Sequence, residues 1–258
     1  MSIKIRINGK PYDAEKGEYI MNVARRNKIV IPSFCHHDAL PGLGCCRLCV
    51  VEVKEGKKRG VVVSCVYPVS AHCEVFTETE KIQGIRRTIL SMLRGRAPEG
   101  SRIASLCRMY GVPQESRYTY APPAGRLNAA CILCGLCVEA CSKLGTGAIS
   151  AVGRGTGKKI SSPFDEPSAD CVGCGSCAAV CPTGAIECSE AKGVRAIWGK
   201  AFELAVCKHC GTPFATKEEL ALAAQRYSEK DADSSAVELC ETCRRKKSSE
   251  VLAKTFGI

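Results

Sequence analysis

The sequence predicts an α+β protein assembled from small modules rather than around one large core, and three observations carry that expectation. Twenty cysteines are spread over 258 residues, a usage far above that of ordinary globular chains. Eight of them form two matching runs, Cys131-x2-Cys134-x2-Cys137-x3-Cys141 and, 29 residues later, Cys171-x2-Cys174-x2-Cys177-x3-Cys181. The chain also opens with alternating apolar and charged residues, then an Asn-Gly pair, then apolar residues at helical spacing. An aromatic content of 5% and 24 glycines point to small cores partly replaced by metal as the source of stability.

Residues 3–7 alternate and end at Asn8-Gly9, a strong hairpin signal, so a second short strand is expected near Pro11-Tyr12-Asp13. From Glu18 to Asn27, Ile20, Val23 and Ala24 recur at helical spacing, which predicts a helix ended before Ile31-Pro32. Cys35 is followed by Gly44-Cys45-Cys46-Arg47-Leu48-Cys49, the strand-like Val50-Val51-Glu52-Val53, a charged turn, and Val61-Val62-Val63-Ser64-Cys65. A Cys-x10-Cys-x2-Cys-x15-Cys set is a stretched form of the plant-type ferredoxin spacing that holds a 2Fe-2S centre. The strand–strand–helix opening suits a β-grasp ferredoxin domain over residues 1–78.

A cubane cluster needs four convergent thiolates. Three cysteines spaced by two residues can wrap one cube, and in two-cluster ferredoxins the fourth comes from the other run. Residues 121–198 are therefore expected to form a bacterial-type double 4Fe-4S ferredoxin domain. Cys131, Cys134, Cys137 and Cys181 are assigned to the first cube, and Cys171, Cys174, Cys177 and Cys141 to the second. Between the runs, the stretch from Val152 to Lys159 is not a phosphate-binding loop. The position five before Gly157 is Val152 rather than glycine, and Lys158 is followed by Lys159 rather than Ser or Thr.

The last region, 199–258, carries Cys207-x2-Cys210 and, 29 residues later, Cys240-x2-Cys243. Two such knuckles present four thiolates tetrahedrally, so a small zinc-ribbon-like domain is expected, with zinc as the first choice and rubredoxin-like iron as the alternative. A helix from Thr216 to Tyr227, rich in Ala, Leu and Glu, would lie between the knuckles.

The amino-terminal segment resembles the first domain of the iron–sulfur subunit of NADH dehydrogenases, NAD-reducing hydrogenases and their iron-hydrogenase relatives. Its matching elements are Ile31-Pro32-x-x-Cys35, Gly44-x-Cys46-Arg47-x-Cys49, Val51-Glu52-Val53, Ser64-Cys65, Pro68-Val69 and Glu74-Val75-Phe76-Thr77. The register of the resemblance makes Cys35, Cys46, Cys49 and Cys65 the 2Fe-2S ligands, with Cys45 as a substitute for Cys46. His36 and His37 are expected to be exposed loop residues beside that site. A Rieske centre is set aside because there is no second Cys-His pair.

An amphipathic helix over 78–93, built on Ile82, Ile85, Ile89, Leu90 and Leu93, begins a helical linker spanning 79–120. There the family usually carries one histidine and three cysteines for an additional 4Fe-4S cluster. This chain has only Cys107, and no histidine lies between His72 and His209, so that cluster is expected to be absent and Cys107 to be a small buried side chain. Segment Ile160-x-x-Pro163-Phe164-Asp165 resembles the hairpin that the respiratory family places between the two runs. The tail resembles the carboxyl end of some hydrogenase-linked ferredoxin subunits. Cys73 and Cys188 fall outside all four sets and are expected to be structural.

The formal charge of +11 treats every cysteine as neutral. Four four-thiolate sites at roughly −2 each leave about +3, which makes the basic excess unremarkable and weighs against a nucleic-acid partner, and runs such as Arg244-Arg245-Lys246-Lys247 are expected to be solvated faces. The alternating start lacks the apolar stretch of a signal peptide and no segment is long enough to span a bilayer, so a reducing cytoplasm is expected, with no membrane insertion. Three redox centres and no substrate pocket or catalytic residues predict an electron-relay subunit of a soluble hetero-oligomeric complex. The resemblance implies a flavin-bearing NAD(P)H-oxidising subunit on one side and a separate catalytic redox subunit on the other. That subunit would be a hydrogenase, a formate dehydrogenase or an electron-bifurcating reductase such as an aromatic acyl-CoA reductase. The alternatives are a free-standing carrier and, less favoured, a zinc-dependent nucleic-acid-binding regulator.

Overall fold

The computed structural model describes all residues except 1, 116–117, 120–126, 128, 145, 229–236 and 257–258. The boundary expected between 120 and 121 lies outside the described residues.

Strands β1 (Ser2–Ile7) and β2 (Lys10–Glu15) pair antiparallel in the register Ile7↔Lys10 to Ser2↔Glu15. Their two-residue turn has Asn8 at φ 51° and Gly9 at φ 82°, the left-handed pair that matches strand twist in the tightest hairpins. Helix α1 (Ile20–Arg26) buries Ile20, Met21, Val23 and Ala24. Strands β3 (Val50–Glu55) and β4 (Lys58–Val63) form a second hairpin. The three-residue β5 (Glu74–Phe76) joins the two, parallel to β1 and antiparallel to β3, giving the order β2-β1-β5-β3-β4. Inward residues Ile5, Ile7, Val51, Val53 and Val75 pack with α1 in one apolar core.

Helix α2 (Glu80–Arg96) starts at Thr79, whose side chain accepts a hydrogen bond from the Ile82 amide, the usual satisfaction of an orphan helix donor. It buries Ile82, Leu90 and also Arg86. The Arg86 guanidinium donates to the carbonyls of Leu48 (3.3 Å) and Val50 (2.9 Å) and to the Tyr110 hydroxyl (2.9 Å), and pairs with Glu78. It thereby pins α2 to the strand that follows Cys49. Helix α3 (Ser101–Met109) packs on α2. Their shared core, with Leu90, Ala97, Ile103, Cys107 and Val112, continues to Cys35, Cys46 and Cys134.

Helices α4 (Leu136–Leu144) and α5 (Ser176–Ala179) each begin one residue before the third cysteine of a run, and they pack together. Between them β6 (Ser150–Val152) and β7 (Lys159–Ser161) form the short antiparallel pair expected of the inter-run segment. A four-stranded sheet then takes the order β11-β10-β9-β8 from β8 (Cys188–Ala191), β9 (Val194–Ile197), β10 (Lys200–Val206) and β11 (Pro213–Thr216). Its first two turns, Lys192-Gly193 and Trp198-Gly199, both have positive φ at each residue, so the strands run on across 198–199 as a continuous meander. Helix α6 (Lys217–Ser228) packs on β10 and β11, and α7 (Glu241–Phe256) begins directly after Cys240 and carries Cys243 in its first turn. Among the described residues no helix is long and apolar enough to cross a membrane.

Candidate metal centres

The loop from Ile29 to Cys49 wraps the first thiol set. Cys35, Cys46, Cys49 and Cys65 are all buried, and the Sγ atoms of Cys35 and Cys46 lie 3.4 Å apart. The loop's own amides point at sulfur: Phe34 N–H donates to Cys46 Sγ (3.4 Å) and Cys46 N–H to Cys35 Sγ (3.3 Å). Such donors stabilise thiolate over thiol. Hydrogen bonds from Cys46 and Cys65 hold the Cys35 thiol well below its ordinary value, whereas the same contacts push Cys65 up, chiefly through Cys35 and then Cys49. Four thiols this close cannot all ionise without a cation between them, so the donor set fits a metal cluster. The approach of residue 42 to Cys65 requires glycine, because a Cβ on Gly42 would stand 2.6 Å from the Cys65 carbonyl oxygen.

Cys45 does not join this set. It is exposed and its Sγ turns back to the Leu43 carbonyl, 3.4 Å away. The expectation that His36 is an exposed loop residue is corrected: its side chain is 8% exposed and Nδ1 has no hydrogen-bond partner, because the loop folds the residue after Cys35 inward. His37 is half-buried, and its Nδ1 accepts from the Ala39 amide (3.2 Å).

In the double-run domain the sulfurs group crosswise. Burial pushes Cys134 up to about 12, and the negative charges that add to the rise are those of Cys181, Cys131 and, from the first set, Cys35. Burial likewise raises Cys171, where the neighbouring charges are Cys174 and Cys141. For Cys177, raised to about 11 by burial, the neighbours are Cys174, Cys141 and Cys171, opposed by a hydrogen bond from Trp198. Each run's last cysteine thus sits with the other run's triad. Cys131, Cys137, Cys141, Cys171, Cys177 and Cys181 share one apolar cluster with Ile149, Ile160 and Trp198. The left-handed Gly173 and Gly175 shape the second loop; a Cβ on Gly173 would meet the Phe202 ring at 2.6 Å.

The tail brings Cys207, Cys210, Cys240 and Cys243 together with all four sulfurs within 4.8 Å of one another. The Cys210–Cys240 separation is 3.7 Å, close to the edge of about 3.8 Å of a tetrahedron with metal–sulfur bonds of about 2.3 Å. The Cys240 amide donates to Cys207 Sγ (3.3 Å) and is the largest influence lowering that thiol to about 6.

Of the remaining cysteines, Cys73 is buried in the amino-terminal core and raised by burial to about 11. Cys107 is fully buried, with Sγ 3.8 Å from the Leu90 carbonyl. Cys188 is exposed on β8.

Comparison with known proteins agrees with this layout. Residues 1–80 match the 2Fe-2S iron-sulfur cluster binding domain family and residues 130–185 the 4Fe-4S dicluster domain family. The chain is 30% identical over 232 residues to an NADH-quinone oxidoreductase subunit of Rhizobium meliloti, covering 81% of this chain and 27% of that protein. It is 31% identical over 211 residues to NADP-reducing hydrogenase subunit HndD of Solidesulfovibrio fructosivorans, covering 71% and 36%. The chain therefore spans about a quarter to a third of the length of these relatives. A crystal structure of an NAD+-reducing [NiFe]-hydrogenase in the H2-reduced state superposes with a TM-score of 0.62 at 25% identity, over 72% of this chain and 86% of that one. The resemblance drawn from the motifs is borne out: the chain carries 2Fe-2S and 4Fe-4S ferredoxin-type domains and is related to iron–sulfur subunits of NAD(P)-linked oxidoreductases.

Sequence reasoning passed over Arg86, Thr146, Arg195, Trp198 and Lys200, which touch the cysteine loops or their sulfurs. For three of them a signal existed. Lys192-Gly193 and Trp198-Gly199 bracket a four-residue strand, which marks two tight hairpins and brings Arg195, Trp198 and Lys200 to one sheet.

Proposed function

We propose that this chain is an electron-relay subunit of a hetero-oligomeric NAD(P)H-linked oxidoreductase. One 2Fe-2S cluster would be held by Cys35, Cys46, Cys49 and Cys65. Two 4Fe-4S clusters would be held by Cys131, Cys134, Cys137 and Cys181, and by Cys171, Cys174, Cys177 and Cys141. Zinc, or rubredoxin-like iron, would be held by Cys207, Cys210, Cys240 and Cys243. When bound, the iron–sulfur groups supply one-electron chemistry with little nuclear rearrangement; zinc supplies none and braces the tail.

The observation that carries this reading is the continuity of the thiol sets. Cys35 and Cys46 share a buried apolar core with Cys134, and Cys137 shares the next with Cys177. The protein's part is to keep these sites dry, close and rigid. Loop amides point donors at sulfur, Leu43 fills the space beside Gly135, and Leu90 with Cys107 closes the core between α2 and α3. The relatives are named as subunits of NADH and NADP-linked enzymes, which supports a flavin-bearing NAD(P)H-oxidising subunit and a separate catalytic redox subunit as neighbours, in a reducing cytoplasm.

The test is native purification under anaerobic conditions. The reading expects co-elution with flavin in an assembly larger than 27.6 kDa, and bleaching of the iron–sulfur absorption by NADH or NADPH. A lone chain that neither nucleotide reduces, with or without its co-purifying proteins, contradicts it.

A further inference from the structure

The two cubane sites differ in what surrounds their sulfurs. At the Cys141, Cys171, Cys174 and Cys177 site, Trp198 Nε1–H donates to Cys177 Sγ at 3.4 Å, and Thr146 Oγ1 lies 3.0 Å from Cys141 Sγ. Cys141 as a ligand is a thiolate without a proton, so the Thr146 hydroxyl donates, its one proton directed to Sγ in preference to the more distant Cys141 carbonyl at 3.5 Å. The Trp198 indole is buried and lines, with Ile149 and Ile197, a small cleft bounded by all four of these cysteines. The same hairpin grips the loop from outside. Lys200 Nζ donates to the carbonyls of Cys171 (3.1 Å) and Ser168 (3.4 Å), and Arg195 donates to the Gly173 carbonyl (2.9 Å). Arg195 is neutralised by Glu190 at 2.8 Å and Glu219 at 3.6 Å. Lys200 has no carboxylate within 4.0 Å among the described residues, so its charge stands uncompensated beside Cys171.

At the Cys131, Cys134, Cys137 and Cys181 site, the side-chain donor to sulfur among the described residues is Thr183, at 3.7 Å from Cys181 Sγ; Arg96 brings a cation near Cys131 as Lys200 does near Cys171, so the sites differ in their donors rather than in their cations. A donor to a ligating sulfur, like a nearby cation, stabilises the reduced and more negative state more than the oxidised one, and so raises the reduction potential.

We propose that the potential of the second cubane site is set above that of the first by two donors, the Trp198 indole N–H from the β9–β10 hairpin and the Thr146 hydroxyl from the segment between α4 and β6. The couple is a single electron: one gained at the second site is one lost by the first, and neither donor gives up its proton. The two donors would make the second site the electron's resting place within this domain. The inference rests on the cluster assignment above, and its test separates the two.

The experiment is an anaerobic redox titration of the full-length protein followed by low-temperature electron paramagnetic resonance, in wild type, Trp198→Phe, Trp198→His, Thr146→Val and Thr183→Val. Trp198→Phe keeps a ring in place and removes the N–H. It should lower one 4Fe-4S midpoint by a three- to tenfold change in reduced-to-oxidised ratio, at most about 59 mV for one electron, and leave the other two centres where they were. Thr146→Val should lower the same midpoint, Trp198→His should recover part of the loss, and Thr183→Val should move only the lower-potential cubane. Unmoved midpoints in both Trp198→Phe and Thr146→Val, at full iron content, overturn the proposal; equal shifts in both cubanes do so as well. If Trp198→Phe loses iron, the Thr146→Val midpoint alone decides. Wild-type protein without any 4Fe-4S signal overturns the cluster assignment itself rather than the tuning.

Discussion

The amino-terminal module and the tail hold four thiols each, yet they are built in opposite ways. In the first, Ile5, Ile7, Val51, Val53 and Val75 close on Ile20, Met21, Val23 and Ala24, and Cys49 and Cys65 join a core made mostly of aliphatic side chains. In the tail, the buried residues described after Phe202 are Cys207, Ala215, Thr216 and Cys243, so two of four are metal-site thiols. A sheet with an apolar face stabilises itself by burial at about 25 cal/mol per Å²; under the proposed metal assignment, a module with so little to bury would depend on the metal for its fold.

The sharpest way to break this contrast is to remove one tail ligand. Cys240→Ser takes away a share of a site whose metal contributes on the order of 10 kcal/mol of folding free energy. Limited proteolysis and hydrogen exchange should find 204–256 opened while the 2Fe-2S absorption persists. A tail that stays protected without metal would show that α6 and α7 hold it.

The converse experiment removes apolar volume from the front. Ile20→Ala, at a fully buried position, should cost roughly 2–5 kcal/mol in denaturant unfolding of the amino-terminal module. The loss should be similar in protein loaded with clusters and in protein stripped of them. A loss seen only in stripped protein would make this core as metal-dependent as the tail.

Arg86 refines the picture, because it ties the front module to the helical pair rather than filling its core. Arg86→Met strands the carbonyls of Leu48 and Val50, at roughly 2–4 kcal/mol for two buried acceptors, and should speed bleaching of the 2Fe-2S centre in air. The smallest effect is expected at Cys45. Cys45→Ala should stay within about 0.5 kcal/mol of wild type and keep the 2Fe-2S spectrum, whereas loss of the spectrum would transfer the ligand role from Cys46.

Local chemistry made much of this legible in the sequence. Asn8-Gly9 announced the first hairpin, the helical spacing of Ile20, Val23 and Ala24 gave α1, and the cysteine spacings sorted themselves into sets that the fold brings together. What stayed hidden depends on contacts between distant segments. β5 is three residues long, too short to carry a period, yet it is the central strand. Arg86 reads as a solvated position on α2 and is buried only because two strand carbonyls face it. His36 reads as loop and is turned inward by the wrapping of 29–49. The β9–β10 pairing across residues 198–199 is set by the tight Trp198-Gly199 turn, which the cysteine spacings do not reveal.

The central claim is that sixteen thiolates sort into four separate sites, three of them redox-active. Iron, acid-labile sulfide and zinc analysis of anaerobically purified protein measures it most directly. About ten irons, about ten sulfides and one zinc per chain are predicted for one 2Fe-2S, two 4Fe-4S and one four-thiolate zinc site. About fourteen irons, or colourless protein with its cysteines paired as disulfides, would contradict the account.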